Sequence, residues 1–204
     1  MPLKLDLGWL RRRFASAGSP TETVYGDEGI RPGGEILTPA SVLIPIVARD
    51  TALTMLFTRR TAHLKAHSGQ VSFPGGRAEP RDPTPEATAL RETREEIGLD
   101  PRHVELLGRL PEYHTRTGFR ITPVIGVVMP PFELQPDANE VDEIFEVPLA
   151  FLLDPANHRR QSREWQGELR WFFAVQYEGH TIWGATAGML VNLYRQLAGA
   201  PPIE

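Results

Sequence analysis

Three glutamates, Glu92, Glu95 and Glu96, follow Arg91 in the run LRETREEIGL from Leu90 to Leu99. On a helix, residues three and four apart are neighbours, so these carboxylates converge within reach of one ion. Oxygen donors grouped in this way suit a hard divalent cation such as magnesium or manganese. The same spacing also builds ordinary solvated helix faces, where Glu–Arg pairs contribute only a few tenths of a kcal/mol. What favours the cation is a glycine pair upstream, Gly75-Gly76 in the stretch FPGG. Without a Cβ the backbone there approaches the helix closely, and a loop carbonyl becomes a further oxygen ligand.

The element that must hold these carboxylates has its ends written in the sequence. Thr84 is suited to cap it, Pro85 to its first position, Glu86 to the positive end of its dipole, and Gly98 to its stop. Ala89, Leu90, Thr93 and Ile97 share one side, which packs, while the glutamates cluster on roughly the opposite one. Before it, SVLIPIVA and TALTMLFTRR are short β-branched runs separated by Arg49-Asp50 and predict a hairpin or two adjacent strands. After it, VELLGRL, RITPVIGVVM, EIFEVPL and LRWFFAVQYEG predict strands. VPLAFLLDP predicts a short helix or turn, and IWGATAGMLVNLYRQLAG a closing helix with Trp183 and Met189 in the core. Strands and helices interleave with no repeat and no second composition regime, which predicts one α/β domain around a mixed sheet. Residues 18–40, rich in Gly, Pro and Thr, read as an irregular arm. The start, MPLKLDLGWLRRRFASAGSP, reads as a surface helix of the mature protein rather than a transit peptide, because Asp6 interrupts it and no cleavage site is present after it.

Composition excludes several functions. The chain has 204 residues and no cysteine, so thiol nucleophiles, disulfides and cysteine-held metals are out, and a reducing cytosol is the default location. With 22 basic against 26 acidic residues it is no polycation, which argues against nucleic-acid or anionic-membrane partners. No apolar run approaches the length of a membrane-spanning helix.

Gly76 to Leu99 resembles the Nudix box: glycine, five residues, glutamate, seven residues, then R-E-U-x-E-E-x-G-U with U a bulky aliphatic. Here Asp82 takes the place of the first glutamate, eight residues separate it from Arg91, and Thr93 stands where an aliphatic is usual. The resemblance implies an α/β/α sandwich around a mixed sheet, and hydrolysis of a nucleoside diphosphate linked to another group. It implies Mg2+ or Mn2+ held by Glu92, Glu96 and the Gly76 carbonyl. Glu95 would be a further ligand or a base acting through water, and Arg91 the residue that orients a glutamate. A later glutamate often serves as base or second ligand in this family, and Glu140 and Glu143 are both candidates, against the alternative of a plain acidic loop. The domain would span 40–198, with a helix and arm over 1–39 and a tail over 199–204.

A second motif narrows the substrate. Leu56 to Gly76 is similar to the segment that accompanies the box in coenzyme A pyrophosphatases, L-L-T-x-R-[SA]-x3-R-x3-G-x3-F-P-G-G. Thr58, Arg60, Gly69, Phe73, Pro74, Gly75 and Gly76 match, while Phe57, Thr61 and Lys65 depart from it. The resemblance implies a substrate surface drawn from Arg60, Lys65, His67, Gln70, Phe73, Gly75 and Gly76. Basic side chains there would meet the extra 3′-phosphate of coenzyme A. Lys65 keeps the charge of the family's arginine without its planar fork. Arg59, alternating with Arg60, reads as a solvent-facing strand residue, and among His63, His67 and His114 the pocket candidate is His67. TGFRITPVIG, EVDEIFEVPL and IWGATAGML also resemble this subfamily, which makes a homodimer plausible.

The expectation is therefore hydrolysis of coenzyme A or acyl-CoA. ADP-ribose, dinucleotides or nucleoside triphosphates are the alternative substrates of the same reaction. A catalytically silent nucleotide-binding domain is the remaining alternative, and the intact acidic set argues against it.

Overall fold

The computed structural model describes residues 5–16, 23–24, 36–62, 68–165 and 167–199. The sheet grows around β2 (Thr38–Ala48), which runs parallel to β8 (Phe119–Val128) from Thr38 to Val47. Both faces of β2 are covered, which is why its sequence is a continuous apolar run rather than an alternating one. Leu43 and Val47 enter one core, and Ile44 and Ile46 the other. On the opposite edge β2 is shared by two partners. β3 (Leu53–Arg60) pairs with Ile46–Ala48, and β5 (Gly75–Arg77) with Ala40–Val42. Between them β3 splays away, and the fork is filled by β4 (Val71–Ser72) and the FPGG turn, where the Pro74 carbonyl accepts from Leu43 N–H at 2.9 Å.

The far edge of β3 carries β9 (Val141–Pro148), while β6 (Val104–Arg109) and β7 (Glu112–His114) pair with β8. Short β1 (Thr23–Val24) adds in parallel to β7. Helix α2 (Pro85–Ile97) lies on one face of this sheet, on Leu43, Leu56, Val124 and Val128. Helices α1 (Leu7–Ser16) and α4 (Ala185–Ala198) cover the other through Leu10, Phe14, Met189, Leu190 and Leu193. The protein is thus a single mixed α/β domain in three layers. None of the described helices is long and apolar enough to cross a membrane.

The amino-terminal helix is more than a surface element. Leu10 and Phe14, one turn apart, are buried in the main core, while Arg11 Nε donates to Glu105 at 2.9 Å and Arg13 Nη2 to the Gln196 carbonyl at 3.1 Å. Most of the expected arm between it and the body lies outside the described residues, and β2 already begins at Thr38.

The carboxy-terminal part differs from its reading in two ways. β10 (Arg159–Trp165), whose polar sequence RRQSREW shows no alternation, pairs along its whole length with β11 (Glu168–Tyr177). The closing helix starts at Ala185, because Ile182 and Trp183 belong to β12 (His180–Trp183), the third strand of this small antiparallel sheet. Gly184 makes the change of direction at φ 61°, ψ −139°, a conformation that a side chain disfavours. Met189 is in the core as expected, but Trp183 is 38% exposed: Ile182 takes the inward position, and the next residue in a strand faces the other way. The expected short helix is α3 (Leu149–Leu152).

Candidate active site

Helix α2 begins and ends where its sequence says. Thr84 Oγ1 accepts from Ala87 N–H at 3.2 Å, Pro85 is the next residue, and Gly98 closes the helix at φ 71° with its N–H on the Arg94 carbonyl. Ala89, Thr93 and Ile97 are buried. Thr93, at the position where an aliphatic residue was expected, satisfies its hydroxyl by donating to the Ala89 carbonyl at 2.6 Å.

The three glutamates do not share one solvated face. At about 100° per residue they fan across the helix, with Glu96 at the edge that turns inward. Glu96 is 6% exposed and lies beneath the fork of the sheet, whereas the Glu95 side chain is 53% exposed. Gly75 N–H donates to Glu96 Oε2 at 3.1 Å, and Arg60 Nη1 lies 3.7 Å from Oε1. Burial pushes the Glu96 carboxyl up to about 8; the Gly75 bond and Arg60 oppose that, and the charges of Glu140 and Glu92 add to it. Burial also raises Glu92, against its bond to Arg91 and with help from Glu95 and Glu140.

Glu140 thus stands within electrostatic reach of both Glu92 and Glu96. Its backbone is fixed to the end of β3, since Thr61 N–H donates to the Glu140 carbonyl at 3.0 Å and Thr61 Oγ1 to the Asn139 carbonyl at 3.1 Å. Glu143 is engaged elsewhere: it pairs with Arg59 Nη1 at 3.0 Å and accepts from His180 Nε2 at 3.1 Å. Of the two glutamates open in the sequence, Glu140 is the one brought to the acidic group.

Arg91 organises the exposed side of the group. Its Nη1 donates to Glu92 at 2.9 Å and Glu95 at 2.8 Å, its Nη2 to the Arg77 carbonyl at 3.0 Å, and Nε and Nη2 both reach Asp82. Asp82 stands where the box has a glutamate, and a tight turn brings its shorter side chain to the arginine: Asp82 N–H donates to the Glu79 carbonyl, and Glu79 N–H returns to Asp82 Oδ2, both at 2.9 Å. The Arg91 bonds, with Glu79 N–H and the Thr88 hydroxyl, hold the Asp82 carboxyl well below the usual carboxylate range, against burial.

Gly76 walls the group. A Cβ there would stand 2.5 Å from the Glu92 carboxyl, so any other residue would push that carboxylate out of its place. Gly75, at φ 153°, is more tightly constrained, since its Cβ would fall 2.4 Å from the Ser41 carbonyl, which is backbone and has no room to yield. Arg60 keeps a buried Nε without a hydrogen-bond partner, and its N–H donates to the Gln70 carbonyl at 3.0 Å.

Other expected positions fall differently. Phe73 is 2% exposed and stacked on Phe57 at 5.0 Å, so it serves the core rather than a substrate surface. Its place in the motif is explained by packing beneath the FPGG turn. Arg59 is a surface strand residue, as expected, with Nη2 on Asp142 at 2.7 Å. His114 stands at the far edge of the sheet, 3.6 Å from Glu112. His63, Lys65 and His67 lie outside the described residues. Among the described residues no three acidic or histidine side chains stand in the arrangement that a bound cation imposes, because Arg91 engages Glu92 and Glu95. The donor set itself fits a hard cation: all oxygen, partly dehydrated, with mutually repelling carboxylates under a glycine backbone.

The NUDIX domain profile matches residues 37–172, the stretch that contains this fork, helix and loop. The chain belongs to the Nudix hydrolase family. Curated Nudix relatives named "Uncharacterized Nudix hydrolase NudL" agree. That of Photorhabdus laumondii is 38% identical over 158 residues, 78% of this chain and 84% of the relative. That of Pectobacterium atrosepticum is 39% identical over 167 residues, 79% and 84% of the two chains. A crystal structure of a Nudix hydrolase from M. Smegmatis, RenU, shares the fold with a TM-score of 0.53 at 20% identity, over 91% of this chain and 99% of that one. In this Nudix domain the box therefore spans β5, the turn after it and α2, and the sheet fork is what buries its last glutamate.

Proposed function

We propose that this Nudix hydrolase, with Mg2+ or Mn2+, cleaves the diphosphate of coenzyme A or an acyl-CoA to adenosine 3′,5′-bisphosphate and 4′-phosphopantetheine or its acylated form. The observation that carries the reading is the buried Glu96 carboxylate, with Glu92 and Glu140 in electrostatic reach, Gly76 above Glu92, and Arg60 3.7 Å away. Such a charge cluster is unfavourable alone and is stabilised by a cation.

Glu92, Glu96 and the Gly76 carbonyl would hold the cation, with Glu95 as an outer oxygen. When bound, it supplies charge neutralisation at the phosphate oxygens and acidifies water. Arg91 keeps Glu92 and Glu95 in place from outside, anchored on Asp82. Arg60, its guanidinium facing the acidic group from the end of β3, meets a phosphate oxygen of the substrate. Glu140 accepts the proton of the attacking water. A new P–O bond forms as the bridging P–O bond breaks, and the bridging oxygen leaves with the departing phosphate. The segment Leu56–Gly76 supports coenzyme A as substrate, since its matched residues include Arg60 and the whole FPGG turn.

Chromatography of coenzyme A incubated with the protein and Mg2+ tests the reading. The expected products are adenosine 3′,5′-bisphosphate and 4′-phosphopantetheine, formed by the wild type and not by Glu96→Gln. Faster turnover of ADP-ribose, a dinucleotide or a nucleoside triphosphate would reassign the substrate. Unimpaired turnover by Glu96→Gln would overturn the mechanism.

A further inference from the structure

Trp183 presents part of its surface to solvent, at the end of β12, a strand that packs on β4. Opposite Ala174 in the register of β11 and β12, it shares a sheet face with Phe172, whose ring meets it edge-on at 5.6 Å and 62°. The other face carries Val175 and Ile182 into the core. The indole is thus held by Phe172 and still 38% exposed.

The chain just beyond Trp183 anchors it beside the site. At Gly184 the backbone passes within van der Waals range of Gln70, a Cβ there lying 3.9 Å from its Nε2. Gly184 N–H donates to the Phe173 carbonyl at 3.2 Å, and Thr186 Oγ1 to the Val71 carbonyl at 3.2 Å, so this junction is tied to both β11 and β4. Gln70 in turn accepts from the N–H of Arg60, the arginine beside Glu96. The junction after Trp183 therefore packs on Gln70 and Val71, whose backbone lies beside that of Arg60 and Arg59 at the end of β3. Along the same sheet face, beyond Phe172, the register places Arg170 and, on β10, Gln161 and Arg163. At the tip of this hairpin Glu168 lies 3.6 Å from Arg116, in the turn between β7 and β8. The small sheet consequently runs past the end of the main sheet at which β3 ends and β8 begins.

An aromatic plane fixed at the rim of a phosphate-handling site is what a flat heterocycle stacks on, and arginines further along that face suit a phosphorylated sugar. We propose that Trp183, braced by Phe172, is the platform on which the nucleoside base of the substrate stacks, making it a specificity-determining residue of this enzyme. The proposal rests on the reading of the site as a nucleoside diphosphate hydrolase.

Calorimetric binding of two non-hydrolysable probes with Mg2+ tests it: α,β-methylene-ADP, which carries a base, and methylenediphosphonate, which does not. The wild type is expected to bind the nucleotide about tenfold more tightly. Trp183→Ala should erase that advantage and leave methylenediphosphonate binding unchanged, and Trp183→Phe should keep most of it. A fluorescence titration reads the same contact without the alanine variant: α,β-methylene-ADP should quench the wild type, and Trp183→Phe should lose the quenching. Retention of the nucleotide advantage by Trp183→Ala, or equal weakening of both probes, would overturn the proposal. So would equal binding of both probes by the wild type, which leaves the diphosphate reading standing. Binding of neither probe to the wild type would overturn that reading and the stacking with it.

Discussion

Asp82 grips Arg91 from the side, Oδ1 accepting from Nε at 3.0 Å and Oδ2 from Nη2 at 2.9 Å. The other guanidinium nitrogen is thereby left to Glu92 and Glu95, so one arginine sets the exposed half of the acidic group. Asp82→Asn keeps the shape and loses the charge. It is expected to lower stability by about 1–3 kcal/mol in urea denaturation. Its kcat should fall more than its KM rises, because the loss acts on the placement of Glu92 and not on substrate contact. Wild-type kinetics in Asp82→Asn would remove Arg91 from its positioning role.

The two glycines of the turn separate fold from function. At Gly76 an added methyl meets the end of the Glu92 side chain, which can swing aside; at Gly75 it meets the Ser41 backbone, which cannot. Gly76→Ala should therefore melt near the wild type and lose most activity. Gly75→Ala should be destabilised by about 1–3 kcal/mol or more. Thermal melts beside turnover assays distinguish the two, and equal melting temperatures for both variants would contradict the geometry.

Arg109 Nη2 donates to Glu86 Oε2 at 2.6 Å, pinning β6 to the first turn of α2. That bond, against burial, holds the Glu86 carboxyl below its ordinary value. A carboxylate with a depressed folded pKa adds stability above the unfolded value, about 4.3, and loses it as pH falls through the folded one. Both groups are partly exposed, so Glu86→Gln is expected to cost about 1 kcal/mol or less at pH 7, and the difference should vanish in strong acid. Urea titrations across pH measure it, and a gap between the two proteins that persists at low pH would refute the assignment.

Much of the site could be read from the sequence because it is local. The caps Thr84 and Gly98 and the buried positions Ala89, Thr93 and Ile97 are consequences of one helix's periodicity. What could not be read depends on chain segments distant in sequence. Glu96 is buried because β5 crosses over it, and no helical pattern contains that strand. β10 is a strand because β11 pairs with it, though its own residues are polar and show no alternation. Trp183 fits the helical periodicity of the segment after it, but strand pairing of Ile182 and the turn at Gly184 put it on the other side.

Glu140 and Glu143 test how far electrostatic reach identifies a base. The backbone of Glu140 is fastened by Thr61, and its charge bears on Glu92 and Glu96; Glu143 is consumed by Arg59 and His180. Glu140→Gln removes the carboxylate charge while leaving the Thr61 bond to its carbonyl, so folding should be unchanged. If Glu140 is the base, kcat should fall by about 10²- to 10⁴-fold. Glu143→Gln leaves the acidic group untouched and loses partly exposed ion pairs, so it should keep its kcat and lose at most about 1 kcal/mol of stability. Steady-state kinetics on the two purified variants decide it, and the reverse order of effects would move the proton acceptor to β9.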